Sequence, residues 1–234
     1  MNRLTGVHEL LDGPLDDPAA LVTNLRDLVR LNRVSGGASL SRRAIDALGS
    51  AADRPATTIL DVGTGGGDIP IALLAHAARV GTDLAVTATD SRPEVLAAAR
   101  VARPAIDRIP GLTLEVADGR GLPYPDAAFS VAHASLVVHH LEPGDAVAFL
   151  RELRRVARDG IVVNDLVRGR VAWLGTWLAV HTLATGSYTR HDGPLSVRRA
   201  YSRAELLDLL SDAGLHPIAT VVGLAGHRVA IAAR

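Results

Sequence analysis

Apolar residues fall into two patterns between positions 57 and 166: short uninterrupted runs, and stripes at helical spacing. The short runs predict five strands, and the stripes predict three helices. The predicted strands are 57–62, 84–90, 112–117, 129–135 and 161–166, and the predicted helices are 68–79, 93–103 and 143–158. Strands that alternate with helices predict a parallel sheet covered on both faces, with right-handed crossovers.

The N-terminal part of the chain predicts helices only. An Asp-Pro pair at 17–18 is typical of a helix start, and apolar residues then recur at helical spacing. Gly36 breaks this pattern, so the first helix is expected to end near Asn32 and a short helix to follow at 41–48. These signals predict an N-terminal helical cap over residues 1–50.

The C-terminal part of the chain mixes helices with two further strands. An apolar helix is predicted at 171–184, a polar loop at 186–200 and a helix at 202–213. The two strands, 216–222 and 227–232, are separated by four residues, which permits a hairpin but not a parallel crossover. The sheet is therefore expected to end in an antiparallel strand.

Two capping signals refine this organisation. Ser91 and Ser202 are each followed by Glu three residues later, which predicts a capping box at both helix starts.

After the N-terminal cap, residues 51–234 are expected to form one domain, with 168–200 as an inserted helix and lid over the ligand site.

Composition narrows the possible functions. The 234 residues are 48% hydrophobic, enough for a folded core, and 25 basic residues balance 25 acidic ones. Zero net charge disfavours a sequence-independent nucleic-acid binder. The absence of cysteine and lysine excludes disulfides, thiol nucleophiles and Schiff-base chemistry. The longest apolar run is too short to span a bilayer and no signal peptide is recognised, so a cytoplasmic protein is expected.

A glycine-rich segment joins the first predicted strand to the helix that follows. Gly63, Gly65 and Gly67 let the backbone turn sharply and let a ligand approach the main chain, and the helix start offers free N–H groups. One alternative for this loop is a dinucleotide-binding site. That site would place the Asp68 carboxylate against a negatively charged pyrophosphate, which is unfavourable. The Asp61 carboxylate likewise suits a positively charged ligand group better than a phosphate. The remaining alternative is a tight turn without a ligand.

Asp90 ends the second predicted strand. An acid in this position can accept both ribose hydroxyls of an adenosine. Alternatively, Asp90 caps the next helix or lies at the surface. The position alone does not distinguish one adenosine-containing cofactor from another.

Together these segments resemble class I S-adenosylmethionine-dependent methyltransferases. The matching segments are residues 61–67 with the family's first motif, 117–119 with its adenine-binding turn, 122–131 with its run into the fourth strand, and 135–141 with its post-strand segment. Ser130 stands where Asp is usual. The resemblance covers residues 57–166 by motif and 202–232 by topology, and it is specific for the cofactor but not for the methyl acceptor.

The resemblance implies an α/β fold with a Rossmann-like doubly wound sheet, mostly parallel with an antiparallel last strand, plus the helical cap. It implies S-adenosylmethionine as cofactor, with its methionine end on the glycine loop, its ribose at Asp90 and its adenine at the turn of Asp118 and Gly119. The cofactor-binding residues predicted in this way are Asp61, Gly63, Thr64, Gly65, Gly67, Asp90, Ser91, Asp118, Gly119 and Ser135.

Residues 24–37 resemble a small-molecule methyltransferase subgroup often found with polyketide pathways. This resemblance implies that Arg33 and Gly36 close over the cofactor. The alternative is a packing helix with a solvated Arg33.

The methyl acceptor is expected beyond the strand ends, near Ser135, His139, Asn164 and the inserted segment. Trp173, Trp177 and His181 recur every four residues on one helix face, which fits either a pocket wall or ordinary core. The polar run that contains Arg190 and His191 fits either a lid with binding groups or a solvated loop. The predicted substrate residues are His139, Asn164, Trp173, Trp177, His181 and Arg190.

Methyl transfer to an alcohol or phenol calls for a general base, and histidine titrates in the useful range. His139, His140 and His191 are the candidates, with His139 preferred by position and His191 second. The alternative for His139 and His140 is a structural pair. Adjacent histidines share no face of a strand or helix, so no metal site is predicted.

The sequence therefore predicts an S-adenosylmethionine-dependent methyltransferase, EC class 2.1.1, that O-methylates a phenolic or polyketide-type small molecule. The alternatives are a non-catalytic binder of the same cofactor, a nucleotide-dependent oxidoreductase and, disfavoured by the charge, an RNA methyltransferase. No nucleic-acid or membrane partner is expected, and the protein is expected to be a monomer or a homodimer.

Overall fold

The computed structural model describes residues 1–52 and 55–234, so Asp53 and Arg54 of the predicted domain lie outside the described residues. Seven strands form one sheet in the order β3-β2-β1-β4-β5-β7-β6. The strands are β1 Thr58–Val62, β2 Ala85–Asp90, β3 Leu112–Val116, β4 Phe129–Ser135, β5 Ala157–Leu166, β6 Pro217–Val222 and β7 Arg228–Ala233. The doubly wound α/β fold predicted from the sequence is confirmed.

Helices cover both faces of the sheet. They are α1 Pro18–Ser35, α2 Gly37–Ala51, α3 Asp68–Val80, α4 Pro93–Ala102, α5 Pro143–Val156, α6 Arg170–Leu183, α7 Ser187–Arg199 and α8 Arg203–Asp212. Apolar side chains of α2 and α3 pack on one face, and those of α5 and α8 pack on the other. Within the described ranges, no helix combines the length and the apolar character needed to cross a membrane.

The strand pairings place the C-terminal ends of β1 to β5 along one edge of the sheet. These five strands pair in parallel, whereas β7 runs antiparallel between β5 and β6. Arg228 at the start of β7 pairs with Leu166 at the end of β5. The antiparallel last strand is thus confirmed, and its first residue lies at the edge where ligands bind in sheets of this kind.

The two N-terminal helices meet at a glycine. Asp17 caps α1 by accepting from the backbone N–H groups of Ala19 and Ala20. Gly36 adopts a left-handed conformation, with φ of +73°, which ends α1 and starts α2. Both helices are longer than predicted, because one glycine redirects the chain without a loop.

The prediction of a polar loop at 186–200 is wrong, because this segment forms α7. Asp27 of α1 anchors the start of α7 by accepting from the backbone N–H groups of Thr185 and Gly186. The polar residues Asp192 and Ser196 are buried on α7 and hydrogen-bonded to the N-terminal segment. A helix whose buried face is polar carries no apolar stripe, so the periodicity of the sequence missed it.

The two capping predictions have opposite outcomes. Ser202 and Glu205 form the predicted capping box at the start of α8. The box predicted at Ser91 is wrong, because Arg92 is the N-cap residue of α4 and no side chain caps it. The carboxylate of Asp90 accepts from the Arg92 N–H instead.

Residues 1–17, which we call the N-terminal strap, run across the domain before α1. The Asp192 carboxylate accepts from the backbone N–H groups of Leu10 and Leu11, at 2.9 and 3.2 Å. Arg92 donates to the carbonyl oxygens of Leu11 and Gly13. The strap therefore connects α7 with the segment that follows β2.

Candidate functional site

The glycine loop between β1 and α3 requires glycine at several positions. Gly63, Gly65 and Gly67 have φ of +73°, +53° and +68°, which side chains rarely adopt. A Cβ at Gly63 would collide with Val137, and one at Gly67 would lie 3.0 Å from Ile106. The loop is therefore held in one tight conformation.

Several features of this loop fit a small ligand. The hydroxyl of Thr64 is buried and has no hydrogen-bond partner in the described part of the chain. The side chain of Leu25, on α1, lies 3.8 Å from the Cβ position of Gly65 and so covers the loop. A buried hydroxyl without a partner is costly unless a ligand satisfies it. The Thr64 hydroxyl is therefore a candidate contact for a ligand, and the predicted role of this loop toward the cofactor stays a prediction.

Asp90 bridges the loop and the end of β2. Its carboxylate accepts from the backbone N–H groups of Gly65 and Arg92, both at 3.2 Å. Burial raises the pKa of Asp90 although these hydrogen bonds oppose the shift. Ser91, beside it, is exposed.

Asp118 and Gly119 form the turn after β3. Asp118 pairs with Arg120, whose hydrogen bonds lower the pKa of this carboxyl. A Cβ at Gly119 would lie 2.5 Å from the ring of Phe149 and 2.8 Å from Val62. Only glycine fits there without a shift of its neighbours.

Asp61 does not point into open space at the mouth of the loop. Its carboxylate is buried and lies 2.5 Å from Nδ1 of His133 on β4, while Nε2 of His133 lies 2.7 Å from the hydroxyl of Ser41 on α2. The side chain of Asn164 on β5 donates to the same hydroxyl. The sequence did not single out His133 or Ser41, and the role of Asp61 toward the cofactor stays a prediction.

These contacts continue to Arg228. The Arg228 guanidinium is 2% exposed and donates to side-chain oxygens of Asn164, Asn32 and Ser135, each at 2.7 Å. Burial lowers the pKa of Arg228 to about 10. Asn32 in turn donates to Asp68 at 3.1 Å. We call this series the buried polar chain; its members are Asp61, His133, Ser41, Asn164, Arg228, Asn32 and Asp68. It links both ends of the glycine loop to α1, α2 and β7.

His139 lies in the short 3-10 turn Val138–His140 that follows β4. Leu136 turns the chain there with φ of +59°. Nδ1 of His139 lies 2.6 Å from a carboxylate oxygen of Asp165 at the end of β5, and the backbone N–H of His139 donates to the other oxygen. Burial opposes ionisation of Asp165, but attraction to the His139 ring and hydrogen bonds from His139 and Leu166 outweigh it and lower the pKa of Asp165.

The other nitrogen of His139 faces the N-terminal strap. Nε2 lies 3.8 Å from Oε1 of Glu9, beyond hydrogen-bonding distance. Because Nδ1 is held by a carboxylate, the neutral imidazole carries its proton there and Nε2 can accept one. This arrangement suits a general base.

A second histidine and several charges surround this position. His140 pairs with Asp12 at 2.9 Å, and Arg199 pairs with both Glu9 and Asp12. Glu9, His139 and His140 offer ligand atoms within 4.8 Å of one another, a spacing that a metal ion can use. The prediction that the protein has no metal site stays a prediction.

The remaining predicted residues lie elsewhere. Trp177 is 41% exposed and stacks on His181 at 4.5 Å on the outer face of α6. His191 is also exposed and pairs with Asp192. Arg190 donates to the carbonyl oxygen of Ala184. Among the described residues, none of these contacts involves His139.

Three other predicted residues have defined surroundings. Asn164 is fully buried within the buried polar chain, and Trp173 is half-buried on α6. Arg33 is exposed at the end of α1, next to the Gly36 turn. Their roles toward substrate and cofactor stay predictions.

Besides Ser41, the sequence does not single out Asp165, Glu9, His133 or Arg228 of this region. Asp165 carries a usable signal, because an acid at the end of a buried strand lies beside the end of the neighbouring parallel strand. Glu9, His133 and Arg228 carry no such signal, since their partners are far away in sequence; Arg228 and Asn32, for example, are 196 positions apart.

Comparison with known proteins agrees with this geometry. Residues 59–160 match the family model of a methyltransferase domain. No curated protein matches the chain's sequence significantly.

Solved structures share the fold at low sequence identity. An S-adenosylmethionine-dependent methyltransferase from Aquifex aeolicus is 20% identical, with a TM-score of 0.60 over 93% of this chain and 97% of that one. An O-methyltransferase family 2 protein from Planctomyces limnophilus, in complex with apigenin, is 16% identical, with a TM-score of 0.65 over 94% and 62%. Human N-acetylserotonin methyltransferase is 16% identical, with a TM-score of 0.66 over 96% and 60%.

Proposed function

Because residues 59–160 are a methyltransferase domain of the class I S-adenosylmethionine-dependent family, we propose that this protein O-methylates a small phenolic or polyketide-type molecule, with His139 as general base. S-adenosylmethionine is the cofactor. The observation that carries the proposal is the His139–Asp165 pair, which leaves Nε2 able to take a proton. The Planctomyces O-methyltransferase with bound apigenin, similar in fold, supports an acceptor of this kind.

Residues around the glycine loop would hold the cofactor. Its methionine end fits the loop, where the Thr64 hydroxyl is buried without a partner. The Asp90 carboxylate would accept the ribose hydroxyls, and Asp118 and Gly119 would line the adenine. When bound, S-adenosylmethionine supplies an electrophilic methyl group on a sulfonium.

His139 would activate the acceptor. Nε2 takes the hydroxyl proton as the oxygen attacks, and Asp165 stabilises the imidazolium through its bond to Nδ1. The enzyme's other contribution is alignment, because a reactive methyl group needs mainly the correct approach. Residues 1–50 would act as a cap and 168–200 as a lid, which keep water from the reacting atoms.

The experiment is a direct test of binding and turnover. We expect S-adenosylhomocysteine to bind in calorimetry, and mass spectrometry to detect methylated products from a panel of phenols incubated with S-adenosylmethionine. Binding of S-adenosylhomocysteine without any methylated product would favour a non-catalytic binder. Binding of NADH without S-adenosylhomocysteine would favour an oxidoreductase and contradict the proposal.

The Asp90→Ala variant tests the placement of the cofactor. Loss of the ribose hydrogen bonds should weaken S-adenosylhomocysteine binding by about 1–3 kcal/mol, while the fold survives. Calorimetry measures the affinity and circular dichroism the fold, with Asp107→Ala as control because Asp107 lies on the surface in an exposed pair with Arg100. Unchanged affinity would reject the ribose assignment.

A further inference from the structure

Glu9 lies in the N-terminal strap and is 4% exposed. Its Oε2 accepts from the hydroxyl of Ser196, and its Oε1 accepts from Arg199 at 3.1 Å. Each carboxylate oxygen has two lone pairs, so Oε1 can accept one more hydrogen bond. The backbone that follows Glu9 is also held, because Asp192 accepts from the N–H groups of Leu10 and Leu11 and Arg92 donates to the carbonyl oxygen of Leu11.

Oε1 of Glu9 also lies 3.8 Å from Nε2 of His139. If His139 takes the proton of the acceptor hydroxyl, that hydroxyl lies beside Glu9. A hydroxyl has one hydrogen, and His139 uses it. A lone phenol would therefore leave its oxygen lone pairs facing a buried carboxylate oxygen, which is unfavourable.

A second donor on the acceptor resolves this conflict. Two oxygens on adjacent ring carbons lie roughly one hydrogen-bond length, about 2.8 Å, apart. One can face Nε2 of His139 while the other donates to Oε1 of Glu9, since these two atoms lie 3.8 Å apart and each oxygen needs to reach only one of them.

We propose that Glu9 is a specificity-determining residue that selects acceptors with a hydroxyl or amino group next to the hydroxyl that is methylated. The inference rests on the proposed function, since it places the acceptor at His139. It adds a substrate class, a vicinal diol or ortho-aminophenol, and assigns a role in binding to a segment that precedes the cap helices.

The experiment compares catechol with 2-methoxyphenol, which lacks the second donor. We expect the full-length enzyme to prefer catechol by about 10–100-fold in kcat/KM, as a site built to bond a hydroxyl discriminates against its absence. Glu9→Ala should reduce this ratio to near one, and Glu9→Gln should reduce it less, because an amide oxygen still accepts. Glu142→Gln is the control, since Glu142 is half exposed and also pairs with the strap, through Arg3.

Binding measurements separate this proposal from the proposed function. Both phenols are titrated into the S-adenosylhomocysteine complex by calorimetry, so Glu9 is tested even if turnover is absent, and thermal unfolding reports whether the variants are folded. A preference for catechol that disappears in Glu9→Ala and persists in Glu142→Gln supports the proposal. It is overturned by equal affinity of the wild-type complex for both phenols, by no measurable catechol binding, or by a ratio that both Glu9 variants retain.

Discussion

The structure contains two buried histidine–aspartate pairs, whose histidines lie six positions apart, one on β4 and one just after it. The two pairs differ in the contacts of one histidine nitrogen, Nε2. His133 pairs with Asp61, and His139 pairs with Asp165; all four side chains are buried and both histidines use Nδ1. Nε2 of His133 is hydrogen-bonded to Ser41, whereas Nε2 of His139 has Glu9 at 3.8 Å.

The difference shows that a buried pair is not by itself a catalytic pair. Both nitrogens of His133 are used, Nδ1 by Asp61 on β1 and Nε2 by Ser41 on α2, so this ring has no nitrogen left for a ligand. His139 is oriented by its carboxylate and keeps its second nitrogen available. The proposed role of His139 as general base depends on its Nε2 atom. Four predictions test this interpretation.

The largest effect is expected from removing the base. His139→Gln should lower kcat by about 10²–10⁴-fold, because general-base catalysis contributes that much. The affinity for S-adenosylhomocysteine should stay the same, which calorimetry checks beside a steady-state assay. A variant with wild-type kcat would show that methyl transfer here needs no base and that the two pairs are equivalent.

A smaller loss is expected from the partner of that base. Asp165→Asn should lower kcat by roughly 10²-fold, because the amide can donate to Nδ1 and favour the tautomer with its proton on Nε2. The pH dependence of kcat/KM, measured from pH 5 to 9, should also lose or shift its lower limb. An unchanged profile would mean that Asp165 has only a structural role.

The corresponding change in the other pair should act on stability. His133→Gln should lower the free energy of unfolding by about 1–3 kcal/mol, since Asp61 and Ser41 lose a buried partner. Its kcat should fall far less than that of His139→Gln. Urea unfolding and initial rates measure the two quantities, and the reverse ranking would contradict the comparison.

The smallest effect is expected from Glu9, which lies beside His139 of the His139–Asp165 pair. Burial raises the pKa of Glu9 above its ordinary value of 4.5, although His140, Ser196 and Arg199 oppose the shift. A carboxyl with a raised pKa stabilises the folded state below its ordinary pKa and loses this contribution as the pH rises through the folded value.

Glu9→Gln should therefore gain thermal stability relative to the wild type as the pH rises above 4.5. The Tm difference between the two proteins should therefore be larger at pH 7.5 than at pH 4.5, because only the wild type loses this contribution. Calorimetric scans at pH 4.5 and 7.5 measure it. Parallel pH curves for the two proteins would contradict the burial of a titrating Glu9.

Most of the sheet could be predicted because its signals are local. Runs such as the one that forms β4 and the glycines of the loop act through their own backbone and nearest neighbours, so the order of elements from 57 to 166 was correct. The polar surface of α7 predicts a loop instead of a helix, because its partners, Glu9 and the backbone of Leu10, lie more than 180 positions away.

The residues of the candidate site show the same difference between local and long-range signals. Asp90 and the glycine loop were recognisable from short motifs, and so was His139. The carboxylates around His139 were not, because Asp165 and Glu9 meet it only after the sheet has formed and the N-terminal strap has crossed it. Sequence patterns report what neighbours along the chain do, and this cluster is made of distant segments.

The route of the N-terminal strap sets the order in which the molecule is assembled. Residues 1–17 are synthesised before α7, whose Asp192 lies 182 positions after its partner Leu10. Closing so long a loop has an entropic cost and must wait until α7 exists, so we expect the strap to dock last. The sheet and its helices would then fold before Glu9 reaches its position beside His139. The site around His139 would be the last part of the domain to form.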